Sequence, residues 1–129
     1  MFYQQLYAEL GKLFYLLAAT DGKVQTAEKE ALFEQVKTIW LPIESSVDSF
    51  KTDAATQIFY AFDFAESEGI GTYSLADFGS FFHQNKQKFN NLIITNILAT
   101  AEAVAAAFKG QNKSEKAFID DLDKLLTEA

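Results

Sequence analysis

Leu13-Phe-Tyr-Leu-Leu-Ala-Ala-Thr-Asp-Gly-Lys-Val-Gln-Thr-Ala-Glu-Lys-Glu-Ala-Leu32 is the stretch that decides how this chain folds. Its first half continues an apolar stripe, in which Leu6, Leu10, Leu13 and Leu17 recur at helical spacing and Tyr3, Tyr7 and Phe14 widen the face. Its middle, Asp21-Gly22, stops that helix, because Gly adopts the left-handed conformation a helix end favours. Its second half opens a new helix. Thr26 is the expected cap, Glu28 and Glu30 fall in the first turn where the helix dipole favours acids, and Leu32, Val36 and Ile39 supply the apolar side. The stretch therefore reads as a helical hairpin.

Working outward, one Pro and six Gly in 129 residues leave few breaks, so helices should dominate. The first helix is expected over Phe2 to Ala19, and the second stops at Trp40-Leu41-Pro42. A polar linker, Glu44 to Asp48, separates them from a third helix over Phe50 to Glu66. After the loop Glu68 to Thr72, Ser74 and Asp77 have capping-box spacing and begin a fourth helix carrying Phe78, Phe81 and Phe82. Gln84 to Lys88 reads as a turn. The fifth helix, Asn91 to Lys109, is the most apolar and Ala-rich, and is expected to lie at the centre. Ser114 is the expected cap of a sixth, with Phe118, Ile119, Leu122 and Leu126 facing inward. No stretch alternates as a strand. The expected fold class is all-α: a single domain over residues 1–129, of about six helices, with two helical hairpins around a central apolar helix. The second hairpin echoes the first, since at one fixed offset Glu28-Lys29 matches Glu115-Lys116 and Leu32 matches Ile119.

Composition narrows the function classes. There is no Cys, which removes disulfides, thiolate metal sites and cysteine nucleophiles. The net charge is −7, and all 11 basic residues are Lys. Bidentate recognition of phosphate and guanine is mainly arginine chemistry, and an acidic chain repels a polyanion, so no nucleic-acid partner is expected. The longest apolar stretch, Leu92 to Phe108, is interrupted by Thr95, Asn96, Thr100 and Glu102, and no direct membrane insertion is expected. The start, Met1 to Gln5, lacks the positive region of a signal peptide, so a cytoplasmic location is expected.

The hairpin from about Leu10 to Ile39, with its apolar helix rich in small residues, Asp-Gly turn and acidic second helix, resembles the TerB-like family. That family includes the tellurite-resistance protein TerB and the N-terminal domain of DjlA-type co-chaperones. The segment Ala101 to Leu126 resembles the family's later hairpin more loosely. The resemblance implies a two-hairpin fold and a non-enzymatic role, as an interaction or acidic ligand- or metal-sensing module of a bacterial stress system, with a protein partner. It implies an acidic cluster of Asp21 and Glu28, joined by Glu115, with a divalent cation as the one cofactor to consider. Lys109 stands where the family's second hairpin often carries Asp.

The rival reading is a degenerate EF-hand-like, calcium-responsive module. With Gly22 at loop position 6, Asp21 and Glu28 fall at positions 5 and 12, but Leu17 and Ala19 occupy positions 1 and 3 and cannot ligate by side chain. With Gly71 at position 6, Glu66, Glu68 and Asp77 fall at 1, 3 and 12, which makes them the alternative metal set, although Ile70 stands at position 5. Against both stands a structural reading, in which Asp21-Gly22 is turn chemistry, Glu28 and Glu30 are helix-start acids, and Asp77 is a cap. His83, the single histidine, has no second His or Cys to share a metal. The aromatics Phe59, Phe62, Phe64, Phe78, Phe81, Phe82 and Phe89 read first as core, and because they exceed what two short helices need to bury, a docking patch formed by some of them is the alternative. At either loop, calcium binding is expected to be weak or absent. Calorimetric titration with Ca²⁺ and Mg²⁺ checks this, and a rise in melting temperature with millimolar Ca²⁺ would restore the calcium reading, because a ligand of the native state stabilises by mass action.

Overall fold

The computed structural model describes residues 2–20, 22–42, 54–107 and 112–127. These form six α-helices and, among the described residues, no strand. They are α1 (Phe2–Ala18), α2 (Thr26–Gln35), α3 (Gln57–Glu68), α4 (Leu75–Gln84), α5 (Asn91–Ala106) and α6 (Lys113–Thr127). The all-α expectation holds. The expected linker Glu44 to Asp48, the start of the third helix at Phe50 and the expected end of the fifth at Lys109 lie outside the described residues.

The leucine stripe of α1 is buried throughout, at Leu6, Leu10, Leu13 and Leu17, together with Tyr7 and Phe14. α1 packs on α3, α4, α5 and α6. α5 buries Ile93, Ile97, Thr100, Ala101, Val104 and Ala105 and packs on α1, α2 and α6. The centre is therefore shared between α1 and α5 instead of belonging to α5 alone.

The most extensive interface is that of α1 with α3, and one residue makes it possible. Gly11 lies in the middle of α1 with no side chain. A Cβ built there would overlap the Cβ of Ala61 and sit 2.6 Å from the Ile58 carbonyl oxygen and 2.8 Å from the Phe62 nitrogen. The backbones of the two helices meet at this point, and the ring of Tyr15 lies edge-on to buried Phe62 nearby, with centroids 6.0 Å apart.

The second helix reaches the expected stop at Trp40-Leu41-Pro42 through an irregular turn, and the residues that follow Pro42 lie outside the described ones. α2 runs on into a π-helical segment, Val36–Trp40, closed by the Leu41 N–H donating to the Val36 carbonyl. A widened turn of this kind is absent from helical periodicity rules, which is why the sequence shows an ordinary helix over Val36 to Ile39. Trp40 is buried, and its indole N–H donates to the Thr100 hydroxyl at 3.0 Å. That hydroxyl in turn donates to the Asn96 carbonyl at 2.7 Å, so the buried Thr100 is satisfied in both directions. This pair ties α2 to α5. At the other end of α1, Phe2 stacks on Phe81 and meets Phe89 edge-on, and Phe89 contacts Phe78 and Phe82.

Gly11→Ala is expected to destabilise the protein by about 2 kcal/mol, because overpacking against fixed backbone outweighs the roughly 1 kcal/mol that Ala gains in a helix interior. Thermal or urea unfolding measures it, and a variant as stable as the parent would show that the helices can separate at no cost.

Candidate functional site

The acids picked out by the sequence are placed first by their local chemistry. Glu28 lies at the third position of α2 and is only 2% exposed. Its carboxylate accepts the Gln25 N–H at 2.8 Å, closing a capping box with Gln25, so the cap of α2 is Gln25 and not Thr26. Glu115 repeats the arrangement in α6. It is also 2% exposed, its Oε1 accepts the Asn112 N–H at 3.2 Å, and its own N–H donates to Asn112 Oδ1 at 2.8 Å. The cap of α6 is therefore Asn112, two residues before the expected Ser114. The first four N–H groups of a helix have no partner within it, and a side chain at the N-cap paired with Glu at the third position satisfies two of them reciprocally. The echo between the hairpins is thus an echo of capping. Asp21 and Lys109 lie outside the described residues.

The alternative set does not come together. Glu66 pairs with Lys29 at 2.8 Å, bridging α3 to α2, with Asp63 on the same ammonium at 3.1 Å. These two carboxylates raise the pKa of Lys29, through the hydrogen bond to Glu66 first and that to Asp63 second. Glu68 accepts from the neighbouring Ser67 hydroxyl. Asp77 accepts the Ser74 N–H at 2.7 Å and caps α4, as its spacing predicted. Among the described residues no three of His, Asp and Glu form a group that could hold a metal ion. His83 is exposed in the last turn of α4, with its ring beside Phe82.

What the structure does assemble is an aromatic face across α2 and α3. Tyr60 and Phe64 on α3 are 60% and 67% exposed, and Phe33 on α2 is 44% exposed. Phe33 meets Phe59 edge-on at 5.4 Å, and Phe59 meets Tyr60 at 6.3 Å, so the rings form a chain over the surface. On one side of Tyr60 lies a groove of about 860 Å³ between α1 and α3. Ala8, Ala61 and Ala65 lie along it with Tyr60 and Phe64, and Gln4, Lys12 and Gln57 add polar groups. On the other side is a hollow of about 250 Å³ bounded by Phe33, Val36, Leu41, Phe59 and Tyr60. The loop after α3 is tied to the groove's edge. The Tyr73 hydroxyl donates to Glu9 at 2.7 Å, and Lys12 lies 4.6 Å above the Tyr73 ring. Burial, and then the hydrogen bond to Glu9, hold the Tyr73 hydroxyl far above the ordinary phenol range.

In comparisons with known proteins, no family model matches the chain, and no curated protein and no solved structure matches it. The site therefore rests on its own geometry. The surplus of Phe pointed to a patch as the alternative but not to which rings compose it. Of those seven residues, Phe62, Phe78, Phe82 and Phe89 are buried, Phe59 and Phe81 are half-buried and Phe64 is exposed, while Phe33 and Tyr60 are not among them. A count along α3 separates them, because Phe62 and Phe64 are two residues apart on a helix and cannot share a face.

Glu28→Ala and Glu115→Ala are each expected to cost about 1–2 kcal/mol, since a lost cap leaves buried backbone donors unpaired. Glu28→Gln and Glu115→Gln should be nearly neutral in unfolding experiments, because Gln also closes a capping box. Gln variants as damaging as the Ala variants would show that the charge, and not the cap, is what these positions require.

Proposed function

We propose that this chain is a non-enzymatic interaction module that binds a protein partner through the aromatic face of α2 and α3. The observation that carries this reading is the pair Tyr60 and Phe64, exposed side by side on α3 along an apolar groove. Aromatic side chains are enriched where proteins bind one another, and a contiguous exposed apolar patch on a soluble domain marks an interaction site more often than chance. The geometry gives less support to a ligand- or metal-sensing role. Both described acids of that reading, Glu28 and Glu115, already accept cap N–H groups, and so does Asp77 of the calcium alternative.

The TerB-like resemblance of Leu10 to Ile39 adds a setting to this proposal, a cytoplasmic role in a bacterial stress system. The two capping-box helices, α2 and α6, are compatible with a two-hairpin plan of that kind. The absence of Arg and the charge of −7 support a protein partner over a nucleic acid. No helix among the described residues is long and apolar enough to cross a membrane.

The test is site-specific photocrosslinking in cells. A photoreactive phenylalanine replacing Tyr60 or Phe64 is expected to give a discrete adduct of defined mass, while the same residue replacing exposed Lys116 on α6 gives none. No adduct at any position, or equal labelling at all three, would overturn the reading.

A further inference from the structure

Between Asp77 and Glu102 the chain carries no Asp or Glu, although its net charge is −7. The same stretch holds His83, Lys86 and Lys88, and the structure gathers them at one place. The turn from α4 to α5 passes through a short 3₁₀ segment, Lys86–Lys88, beside a hollow of about 440 Å³. His83, Gln84, Asn85, Lys86, Gln87 and Lys88 line it, and none of them is an acid. All but Asn85 are exposed. Lys12, Lys29 and Lys37 are each paired with a carboxylate, whereas Lys86 and Lys88 have no carboxylate within ion-pair distance among the described residues. The turn is also held in shape. The Asn85 N–H donates to the Phe81 and Phe82 carbonyls, its side-chain amide donates to the Phe81 carbonyl at 2.9 Å, and the Lys88 N–H donates to the Asn85 carbonyl at 2.8 Å. The Lys88 ammonium lies 5.6 Å from the centre of the Phe2 ring, which itself stacks on Phe81. Phe2 brings the start of α1 to this turn, and Phe2 to Ala8 carry no acid either.

We infer that the α4–α5 turn is a docking surface for a short acidic segment of a partner protein, separate from the aromatic face of α2 and α3. Charge complementarity commits it to this occupant. Two ammonium groups stand two residues apart on a fixed backbone, and each can take a carboxylate of the segment. Gln84 and Gln87 at the same hollow add amide N–H groups, which donate to carboxylate oxygens and carry no charge to repel them. The net charge of −7 opposes an acidic ligand at long range, but at about 0.15 M salt the Debye length is about 8 Å, so exposed acids farther off are screened while the lysines in contact are not. The same screening length separates a short segment from larger anions. A nucleic acid or an anionic bilayer spreads its charge well beyond the turn and meets the acidic remainder of the chain. A second copy of this chain brings its own surplus of seven negative charges.

The probe is a Glu/Ser peptide of about ten residues, which reaches about 35 Å when extended and so spans the turn, and its control is the Gln/Ser counterpart. Both carry a neutral dye. Fluorescence anisotropy is read with the intact chain at about 0.15 M salt, and amide chemical shifts locate the contact. The Glu/Ser peptide is expected to bind and to shift the amides of Gln84, Lys86, Gln87 and Lys88. Raising the salt to about 1 M, where the Debye length is about 3 Å, should lower its affinity severalfold. Lys86→Glu with Lys88→Glu should weaken it at least about tenfold, since two attractive contacts become repulsive, with the melting temperature nearly unchanged because both side chains are exposed. Lys116→Glu on α6, and Tyr60→Ala with Phe64→Ala on α3, should leave it unchanged. Equal binding of the Gln/Ser peptide, shifts mapping to another face, or full binding by the double lysine variant would each overturn the inference. So would tighter binding of an oligothymidylate or of anionic vesicles, or self-association of the chain that the double lysine variant abolishes. If the Glu/Ser peptide fails to bind while crosslinks form at Tyr60, the acidic-segment inference falls and the interaction-module reading stands.

Discussion

The close approach of α1 and α3 at Gly11 is the constraint on which the rest of the molecule depends. Glycine in a helix interior costs about 1 kcal/mol relative to alanine, so its presence there calls for a return, which the missing Cβ supplies by letting the Ile58 carbonyl and the Phe62 nitrogen sit against the α1 backbone. Packed helices normally stand about 8–10 Å apart according to the side chains between them, and this pair has almost none between them at the crossing. α1 is then free to use its remaining surface against α4, α5 and α6. The same contact shapes the exterior. Where two helices approach closely through small residues, the valley above the contact is lined by small residues too, and Ala8, Ala61 and Ala65 line it here. The groove is a by-product of the core.

How much of this was legible in the sequence depends on the kind of signal. The stripe of Leu6, Leu10, Leu13 and Leu17 was legible because burial repeats with the helical period, and all four are buried. The cap at Ser74 and Asp77 was legible because hydroxyl and carboxylate stand at the required spacing. The caps of α2 and α6 were misplaced onto Thr26 and Ser114. In both, a hydroxyl residue inside the helix drew attention from an amide residue, Gln25 or Asn112, that stands three before a Glu. The spacing to the Glu was the better guide. The π-helical turn at Val36–Trp40 left no trace in the pattern, because local propensity does not distinguish it from an ordinary α-helical turn. Nor does a glycine within a helix announce which neighbour will come close, and nothing in the sequence around Gly11 marks it as a crossing point.

The candidate site was less legible than the fold for a related reason. Excess aromatic content shows that some rings stay outside, yet the choice among them is made by which face of α3 meets α1. Phe62 turns inward beside Gly11, so Phe64, two residues later, is turned out. The acids were visible as acids, but a helix-start carboxylate has the same sequence signature whether it holds a cation or a backbone N–H. Only the burial of Glu28 and Glu115 with their cap donors separates the two purposes at those positions.

The two sets of residues are nonetheless linked. The capping box of Gln25 and Glu28 sets where α2 begins, and the next residue, Lys29, reaches across to Asp63 and Glu66 on α3. One turn further along α2, Phe33 lies edge-on to Phe59 of α3. Start, bridge and ring contact thus succeed one another along a single helix, the last two joining α2 to α3 through side chains. Exposed ion pairs contribute little stability individually, but this one is shared by two carboxylates and stands beside a ring pair, so its effect is on register more than on free energy. Glu28 bears on the proposed docking face in this way through the cap it closes. It holds in place the helix whose outer ring continues the aromatic face of α3, while Lys29 of the same helix is taken up by Asp63 and Glu66.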